Sequence, residues 1–580
     1  MKRLLVYLKD YKKETVLAPL FKLLEALFEL LVPLVMAGII DRGIADRDMG
    51  YIAGMGLCLL ALGAVGLVSS ITAQYFAAKA AVGFSAKLRQ SLFNHIQSLD
   101  FTNIDRAGTS TLITRMTSDI NQVQSGVNMA LRLFLRSPII VFGAMIMAFT
   151  IDIKSALVFV VSIPALAVVV FGIMFWTIPL YKKVQAGLDK VLGITRENLT
   201  GVRVIRAFHQ EEQEQERFEE NNQALASLQM FVGKISACMN PVTYVIVNGA
   251  IIVLIYIGAV QVNVGNLTQG EVVAIVNYMS QILVELVKLA NLIITLTKAL
   301  ACADRVASVF DICNDEEQPA ASMSKLSEAV QPYLCFDHVS LTYRGAGAET
   351  LHDIHFTVNK GDTIGIIGGT GSGKSSLINL IPGFYPVTEG AVYLEGRNIR
   401  QIPKEEMAKR VGVVPQKAVL FKGSIRSNLQ WGKEDATEEE MWRALEIAQA
   451  REVVEGKPGG LDAAVSQNGK NLSGGQRQRL TIARALVGRP EILILDDSAS
   501  ALDYGTDARL RAALRTLEGN TTTFIVSQRA STIRNADKII VLDDGEMAGA
   551  GTHEQLLENC TVYQEIYYSQ YPEKRREAAE

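Results

Sequence analysis

Six long apolar runs in the first half of the chain restrict its fold more than any other feature. A helix needs about 20 mainly apolar residues to cross a bilayer. Runs of that length cover about 16–40, 52–74, 131–151, 155–181, 242–262 and 272–301. Only 20% of the 580 residues are charged, and the mean hydropathy is positive at +0.21. The sequence therefore predicts an all-α domain with six membrane-spanning helices.

The charges between these runs predict the orientation of the spans. With the N-terminus inside, the short outer loops carry only Arg42, Arg47 and Lys154, and the inner segments carry many more Lys and Arg side chains. Membrane proteins concentrate Lys and Arg in their cytoplasmic segments. Both termini and the whole second half of the chain are therefore expected to be cytoplasmic.

The first 15 residues predict a helix of a different kind. Leu4, Leu5, Leu8 and Tyr11 share one helical face, and five Lys and Arg side chains lie elsewhere on it. This amphipathic pattern is typical of a helix that lies in the membrane interface.

Two long connections, 75–130 and 182–241, separate spans on the inner side. Both are rich in helix-forming residues and poor in Gly and Pro, so the membrane helices are expected to continue into the cytoplasm and fold back. Candidate turns lie at 102–108 and 207–211. Such tips can touch a soluble domain and transmit force. Plain helical hairpins without that role are the alternative.

Charged residues inside the apolar runs are candidates for function, because a charge in a bilayer is costly. Lys22, Glu25 and Glu29 lie on the first run, and Glu285 and Lys288 lie on the sixth. Pairing within one helix, Lys22 with Glu25 and Glu285 with Lys288, is the structural explanation. Glu29 has no cation four residues away. We therefore expect Glu29 to face a substrate cavity, with Glu25 and Glu285 as further candidates.

From about Tyr333 onward the chain alternates between strands, glycine turns and charged helices. A strand at 363–367 runs into GGTGSGKSS, which matches the phosphate-binding pattern GxxxxGK[ST] in its strand–loop–helix context. Backbone N–H groups of such a loop and the following helix N-terminus bind phosphate. The predicted nucleotide-binding residues are Gly368, Gly369, Thr370, Gly371, Ser372, Gly373, Lys374, Ser375 and Ser376. Lys374 is expected to neutralise phosphate charge, and Ser375 to bind Mg²⁺.

Five more side chains are predicted to complete this site. Tyr343 precedes the loop at a spacing that favours stacking on adenine, and Gln416 follows a short strand and can reach Mg²⁺ or the attacking water. Asp496 ends the buried strand ILILD, a pattern that holds Mg²⁺ through water. Asp497 is then the candidate general base. Gln528 ends the next strand, TTFIVSQ.

Composition excludes other classes of function. The net charge of −3 gives no basic field for nucleic acid. The six cysteines are scattered without CxxC spacing, so neither a disulfide framework nor a cysteine metal site is indicated.

Together these residues resemble a half-transporter of the ATP-binding cassette (ABC) exporter family, and the match covers essentially the whole chain. In that family GGTGSGKSS is Walker A, Gln416 marks the Q-loop and Asp503 ends the D-loop. The signature LSGGQ is formed by Leu472, Ser473, Gly474, Gly475 and Gln476. The hairpin tips around Asp105 and Phe208 are similar to its coupling helices.

The resemblance implies a six-helix transmembrane domain of the type I exporter fold, followed by an α/β P-loop nucleotide-binding domain. The expected boundaries are 1–311 for the membrane domain, 312–332 for a linker, 333–570 for the nucleotide-binding domain and 571–580 for a polar tail. ATP and Mg²⁺ are the implied cofactors, with Mg²⁺ held through Ser375, Gln416 and Asp496.

Three positions depart from the family pattern. Asp497 stands where a catalytic glutamate is usual, Gln528 where a switch histidine is usual, and Gln467 where a glutamate commonly precedes the signature. The chain thus resembles the degenerate-site subunit of bacterial heterodimeric multidrug exporters in the cytoplasmic membrane. That resemblance implies a second half-transporter with the intact glutamate and histidine. It also implies that this chain's signature faces the partner's ATP.

The favoured function is ATP-driven export of hydrophobic or amphipathic compounds, multidrug or lipid-like, by a heterodimer. This chain alone is expected to hydrolyse ATP weakly. A lipid flippase, a peptide exporter and a siderophore importer share the architecture and stay open. A non-transporting ATP-dependent membrane sensor is the alternative from another class, and a homodimer with two weak sites is a further possibility.

Overall fold

The computed structural model describes residues 3–313, 332–343, 346–516 and 521–577. They form two compact units. The first comprises the described residues up to Leu99 and Ala107–Cys313; the second comprises Asp100–Arg106 and the described residues after Cys313. Most of the predicted linker, 314–331, lies outside the described residues, as do the last three residues of the predicted tail.

Long helices make up the chain before residue 313. They are α1 (Lys12–Gly38), α2 (Met49–Ser98), α3 (Phe101–Ala107), α4 (Thr109–Thr114), α5 (Ile120–Leu133), α6 (Arg136–Ile151), α7 (Ile153–Ala207), α8 (Glu211–Ala237), α9 (Met239–Val264) and α10 (Gln269–Phe310). Six helical stretches among the described residues are long and apolar enough to cross a membrane: Leu4–Ile44, Met49–Ser98, Thr109–Ile151, Ile153–Ala207, Glu211–Val264 and Gln269–Phe310. The six predicted spans are confirmed.

The two inner connections are helical, as the sequence predicts. Helix α2 continues from its apolar part to Ser98, and α7 continues to Ala207 before the chain reverses into α8. His209 takes a left-handed backbone conformation with φ of 54°, and this ends the helical path at the second tip. At the first tip the expected turn contains the short helix α3, which is followed by Gly108 with φ of 75°.

The N-terminal segment Leu4–Tyr11 is a 3₁₀ helix that leads directly into α1. Leu4 is buried in a cluster with residues of α2, and the Tyr7 hydroxyl lies 2.7 Å from Ser91 Oγ. The Lys79 ammonium pairs with Glu14 at 2.9 Å. Part of the face expected to contact the membrane interface therefore packs on the chain's own α2, and an interfacial position stays a prediction.

Buried polar contacts connect the helices of the first unit. Asp119 is 3% exposed and follows α4 in a short π-helical segment. Its carboxylate accepts hydrogen bonds from Arg305 Nη2 at 2.6 Å and from Arg115 Nη1 at 2.8 Å. Asp119 therefore connects this segment to α10, because Arg305 lies on that helix.

The second unit contains twelve strands among its described residues: β1 (Leu334–Leu341), β2 (Leu351–Val358), β3 (Thr363–Gly368), β4 (Glu389–Leu394), β5 (Arg397–Asn398), β6 (Val411–Val414), β7 (Gly423–Ser424), β8 (Ala464–Val465), β9 (Ile492–Asp496), β10 (Thr522–Val526), β11 (Lys538–Asp543) and β12 (Glu546–Gly551). The sheet orders are β2-β1-β4-β5, β12-β11-β3-β10-β9-β6 and β7-β8. In the six-stranded sheet, β11, β3, β10, β9 and β6 are parallel. Their nearly continuous apolar runs are buried, as is usual for parallel strands covered on both faces.

The helices of this unit are α11 (Lys374–Leu380), α12 (Lys404–Arg410), α13 (Ile425–Leu429), α14 (Glu438–Ile447), α15 (Arg451–Glu455), α16 (Gly474–Val487), α17 (Tyr504–Arg515), α18 (Ala530–Ile533), α19 (His553–Asn559), α20 (Thr561–Gln570) and α21 (Pro572–Glu577). Helix α21 occupies much of the segment expected to be a polar tail.

The Asp119 cluster gives a test of packing in the first unit. Asp119→Ala removes the carboxylate that both arginines share, and should lower the free energy of unfolding by about 2–3 kcal/mol. Glu197→Ala is the matched control, because Glu197 pairs with Arg217 at 3.6 Å where both side chains are more than half exposed. That change should cost less than about 1 kcal/mol. Thermal unfolding of both variants in one detergent measures the difference. Equal unfolding midpoints would contradict the structural role of Asp119.

Candidate functional site

Parallel strands β3, β10 and β9 bring the predicted nucleotide-binding residues to one edge of the six-stranded sheet. Val526 near the end of β10 pairs with Ile366 of β3 and with Asp496 of β9. A cleft of about 260 Å³ opens at this edge. It is lined by Thr350, Thr370, Gly371, Gly373, Lys374, Ser375, Ser376, Gln416, Asp496, Asp497, Val526, Ser527 and Gln528. Ten of these residues were predicted from sequence; Thr350, Val526 and Ser527 were not.

The phosphate-binding loop lies between β3 and α11. Gly373 takes φ of 91°, and a methyl group on it would come 2.7 Å from the Leu351 side chain, so glycine is required there. The Lys374 ammonium donates to the carbonyl oxygens of Gly368, at 3.0 Å, and Gly369. Burial is the main effect on the Lys374 pKa and lowers it. A half-buried cation held by neutral oxygens suits a phosphate anion.

Two side chains with oxygen ligands, Ser375 on α11 and Asp496 at the end of β9, fit a magnesium ion. Ser375 Oγ donates to Asp496 and lies 3.1 Å and 3.2 Å from its two carboxylate oxygens. Burial raises the pKa of the Asp496 carboxyl. Hydroxyl and carboxylate oxygens are the ligands that Mg²⁺ prefers. When bound, the ion would neutralise charge on the nucleotide phosphates, with Ser375 and Asp496 holding it.

Asp497 lies beside Gln416 at the same edge. Gln416 Nε2 donates to Asp497 Oδ2 at 3.4 Å, and the backbone N–H of Asp497 donates to Val526 at 3.0 Å. Asp497 takes φ of 44°, a left-handed conformation that a short polar side chain tolerates. Burial raises the pKa of its carboxyl. Gln416 is therefore bonded to the candidate base rather than to Asp496.

Tyr343 is fixed close to the phosphate-binding loop. Its hydroxyl donates to Ser376 Oγ at 3.0 Å, and its ring meets Tyr385 edge to face at 5.1 Å. Tyr343 does not line the cleft in this structure, so its stacking on adenine stays a prediction.

The signature residues begin α16 and are not among the described residues that line the cleft. Ser473 caps the helix: its Oγ accepts from the Gln476 N–H at 3.3 Å. A methyl group on Gly474 would meet no atom within 4 Å, so this helix start is open. Asp503 likewise caps α17 by accepting from the Thr506 N–H at 2.9 Å, and this bond lowers the pKa of its carboxyl. An open, capped helix N-terminus suits a phosphate group.

The two predicted coupling tips differ in their surroundings. Asp105 accepts a hydrogen bond from Tyr385 at 2.6 Å, and Phe101 lies 4.7 Å from Phe384, all within the second unit. Phe208, in the first unit, is 72% exposed. Asp105 and Phe101 thus pack within the second unit, whereas Phe208 of the first unit is exposed.

The intramembrane charges form one network around Arg136, which the sequence reasoning missed. The Arg136 side chain is 8% exposed and bonds Glu285 at 2.5 Å and Glu29 at 2.6 Å. The expected pairs are present, Lys22 with Glu25 at 2.6 Å and Lys288 with Glu285 at 2.8 Å.

This network changes the interpretation of Glu29. The residue was singled out because it lacks a cation on its own helix, but Arg136 on α6 supplies one. The Glu29 side chain is 39% exposed, against 16% for Glu25 and 3% for Glu285. Of the three cavity candidates, Glu29 is therefore the most exposed. An arginine inside the third apolar run was the signal that could have revealed this network.

Gln570 is a second residue that sequence reasoning missed. Its side-chain amide donates to the Gln528 carbonyl at 2.7 Å and accepts from the Ala530 N–H at 2.9 Å. One side chain at the end of α20 thus holds the backbone on both sides of Arg529. A single glutamine near the C-terminus carries no sequence signal for this role.

Comparison with known proteins gives consistent matches over the whole chain. Residues 15–286 match the family described as ABC transporter transmembrane region, and residues 351–500 match the family described as ABC transporter. An uncharacterised ABC transporter ATP-binding protein of Bacillus subtilis, YfiB, is 35% identical over 98% of this chain and 99% of that protein. An ATP-dependent lipid A-core flippase of Chromobacterium violaceum is 30% identical over 99% of this chain and 97% of that protein.

Two further similarities concern an export protein and a solved structure. A putative multidrug export ATP-binding/permease protein of Bacillus subtilis, YgaD, is 31% identical over 98% of both chains. The structure of a bacterial Atm1-family ABC exporter with ATP bound superimposes with a TM-score of 0.78 at 24% identity, over 96% of this chain and 98% of that chain. This superposition shows the same fold.

The Gln570 contacts predict a selective effect on nucleotide binding. Gln570→Ala removes two hydrogen bonds that fix the backbone at Gln528, and should weaken ATP binding by roughly 1 kcal/mol, or about five-fold. ADP binding should stay unchanged, because ADP has no γ-phosphate for Gln528 to contact. Gln564→Ala is the matched control, since the Gln564 side chain on the same helix donates to the Leu557 carbonyl and not to the Gln528 backbone. Titration of both nucleotides measures the ratio; equal weakening of ATP and ADP would contradict a role in positioning Gln528.

Proposed function

This chain belongs to the ABC transporter family, and on that premise we propose that it is the degenerate-site half of a heterodimeric exporter. As a family member it is a multi-pass membrane protein and half of an ATP-hydrolysing transporter. The proposal concerns the finer points: which half it is, what it assembles with and what it moves.

One observation carries the proposal: the chain combines an intact signature motif with an altered hydrolytic centre. Asp497 is one methylene shorter than glutamate, which withdraws the carboxylate by roughly 1 Å, and a misplacement of that size can cost about 10²-fold in rate. Gln528 can donate a hydrogen bond to a γ-phosphate but carries no positive charge. Both changes leave Lys374 and the phosphate loop intact. This chain's Walker A site should therefore retain ATP for longer than it cleaves it.

The unaltered signature supports the assignment to a heterodimer. In the family, each ATP lies between one chain's Walker A and the other chain's signature. Ser473 and Gly474 begin an open helix N-terminus, which suits the partner's γ-phosphate. A chain that keeps this motif while losing its own base works best with a partner that has the glutamate and histidine.

Hydrophobic or amphipathic compounds are the proposed cargo, moved outward across the cytoplasmic membrane. Two relatives support this class by their names, the lipid A-core flippase and the putative multidrug export protein. A lipid-flipping function is the second candidate, since the flippase is similar over nearly the full chain. Cytoplasmic termini follow from the positive-inside charge pattern.

The proposal of a heterodimer predicts asymmetry between the two ATP sites. Lys374→Ala in the assembled transporter, purified through a tag on this chain, should leave measurable steady-state hydrolysis, because the competent site uses the partner's Walker A. Gly475→Asp should nearly abolish it, because the new carboxylate meets the partner's γ-phosphate and like charges repel. Lys360→Ala is the control, since it removes a partly exposed lysine outside the cleft.

The order of these effects decides the assignment. If Lys374→Ala were more damaging than Gly475→Asp, this chain would carry the competent site, and the proposal would be wrong. The double change Asp497→Glu with Gln528→His should raise hydrolysis at the weak site.

The proposed cargo leads to a prediction about the effect of Glu29 on which compounds are transported. Glu29→Gln should reduce transport of cationic dyes and leave transport of neutral compounds and basal ATPase largely intact, because Glu29 is the most exposed acid of the network and Arg136 keeps Glu285. Glu285→Gln is the comparison: this buried acid bonds Arg136, Lys288 and Ser137, so its loss should lower protein yield and all transport together. Transport assays with a panel of charged and neutral dyes separate the two results. An equal loss for both dye classes in Glu29→Gln would remove its role in charge selection.

A further inference from the structure

The hairpin of β1 and β2 concentrates histidine in a chain that has little of it. Three of the six histidines, His338, His352 and His355, lie on or next to these two strands. The donor atoms of Asp337, His338 and His355 all lie within 4.8 Å of one another. We propose that these three residues form a binding site for a divalent transition-metal ion of the zinc class, separate from the ATP site.

A β-bulge brings the three side chains together. Phe336 pairs with Phe356, and Val339 pairs with Ile354, so two residues of β1, Asp337 and His338, stand opposite the single residue His355 of β2. The bulged residue His338 takes φ of 48°, a left-handed conformation that is uncommon for residues other than glycine. Bulges re-aim side chains in this way and are frequent beside functional sites.

The neighbouring strand is adapted to this bulge. Pairing of β1 with β4 is also irregular between Asp337 and Ser340. Gly390 of β4 takes φ of 73°, and a methyl group on it would collide with the carbonyl oxygens of Asp337 and His338. Only glycine therefore fits next to the bulge. Three strands therefore set the backbone positions from which the three side chains project.

The strands beneath the site are anchored in the hydrophobic core. Phe336 and Phe356 stack at 4.5 Å, and both are buried in the core, directly before Asp337 and directly after His355. The rings of His338 and His355 also stack, with centroids 5.0 Å apart. Metal sites on rigid strands hold their ligands more precisely than sites on loops.

The donor set has the chemistry of a zinc-class site. Asp353 Oδ1 lies 2.5 Å from His338 Nδ1, which fixes that ring and leaves Nε2 for a metal. A carboxylate that orients a ligating imidazole is the usual second partner of a metal-bound histidine. The His355 imidazole makes no hydrogen bond among the described residues. Two imidazoles and one carboxylate favour Zn²⁺, Ni²⁺ or Cu²⁺ over Mg²⁺ and Ca²⁺, which prefer oxygen ligands.

The geometry requires only small side-chain movements. Ligand atoms around tetrahedral Zn²⁺ lie about 3.4 Å apart, because each bond is about 2.0–2.2 Å. His355 is exposed, so rotation about its side-chain bonds can close the present separation while Asp353 holds the His338 ring in place. Water would occupy the remaining position.

Zinc titration of the full-length protein tests the proposal. The protein, purified without a polyhistidine tag and stripped with EDTA, is titrated with Zn²⁺ by calorimetry in excess Mg²⁺, which occupies the ATP-site carboxylates. Wild type should bind one equivalent that His355→Ala weakens by at least about 100-fold and that Asp353→Asn weakens by about 10-fold. His352→Ala is the matched control: this exposed histidine of the same hairpin pairs with Glu349 outside the cluster, and its loss should change nothing.

A second variant guards against a loss caused by misfolding. His355→Cys restores a metal ligand, so it should regain zinc binding, and its Co²⁺ complex should show a sulfur-to-cobalt absorption that wild type lacks. The proposal is overturned if wild type and His355→Ala bind zinc equally, or if neither binds it. It is also overturned if His352→Ala loses zinc binding as His355→Ala does, or if His355→Cys gives no cobalt–thiolate absorption.

Discussion

The parallel pairing of β10 between β3 and β9 is the constraint on which the nucleotide site depends. Because parallel strands end at one edge, this pairing brings the phosphate loop after Gly368, the carboxylates after β9 and Gln528 after β10 to a common cleft. Residues more than 100 positions apart in sequence, such as Ser375 and Asp496, thereby come within hydrogen-bond distance. A shift in this register would separate the phosphate-binding groups from the metal-binding groups.

Much of this arrangement could be predicted from the sequence, because its signals are local. A long apolar run predicts a span wherever it occurs, and a glycine loop between a strand and a helix predicts a phosphate site. Local sequence signals of this kind do not predict the contacts of Arg136 and Gln570. Each depends on which helices or loops become neighbours, and the spacing of residues along one element does not contain that information.

The same limit explains the change in how Glu29 is interpreted. Along α1 it looks unpaired, because no Lys or Arg lies within four residues of it. In the structure, Arg136 joins acids from α1 and α10, so three carboxylates and three cations balance within one network. A bilayer tolerates such charges because they neutralise one another. Selection of cargo by charge would then depend on how easily Glu29 exchanges Arg136 for another cation.

The proposed division of labour between two ATP sites is tested most directly by single-turnover hydrolysis with the assembled transporter. The complex is loaded with radiolabelled ATP and Mg²⁺ at one ATP per site, and bound ATP and released phosphate are followed in time. The degenerate-site proposal predicts that about half of the ATP is cleaved promptly and the other half stays bound and largely uncleaved, and that Lys374→Ala removes the uncleaved half. Loss of the promptly cleaved half in Lys374→Ala, with the slow half retained, would contradict it.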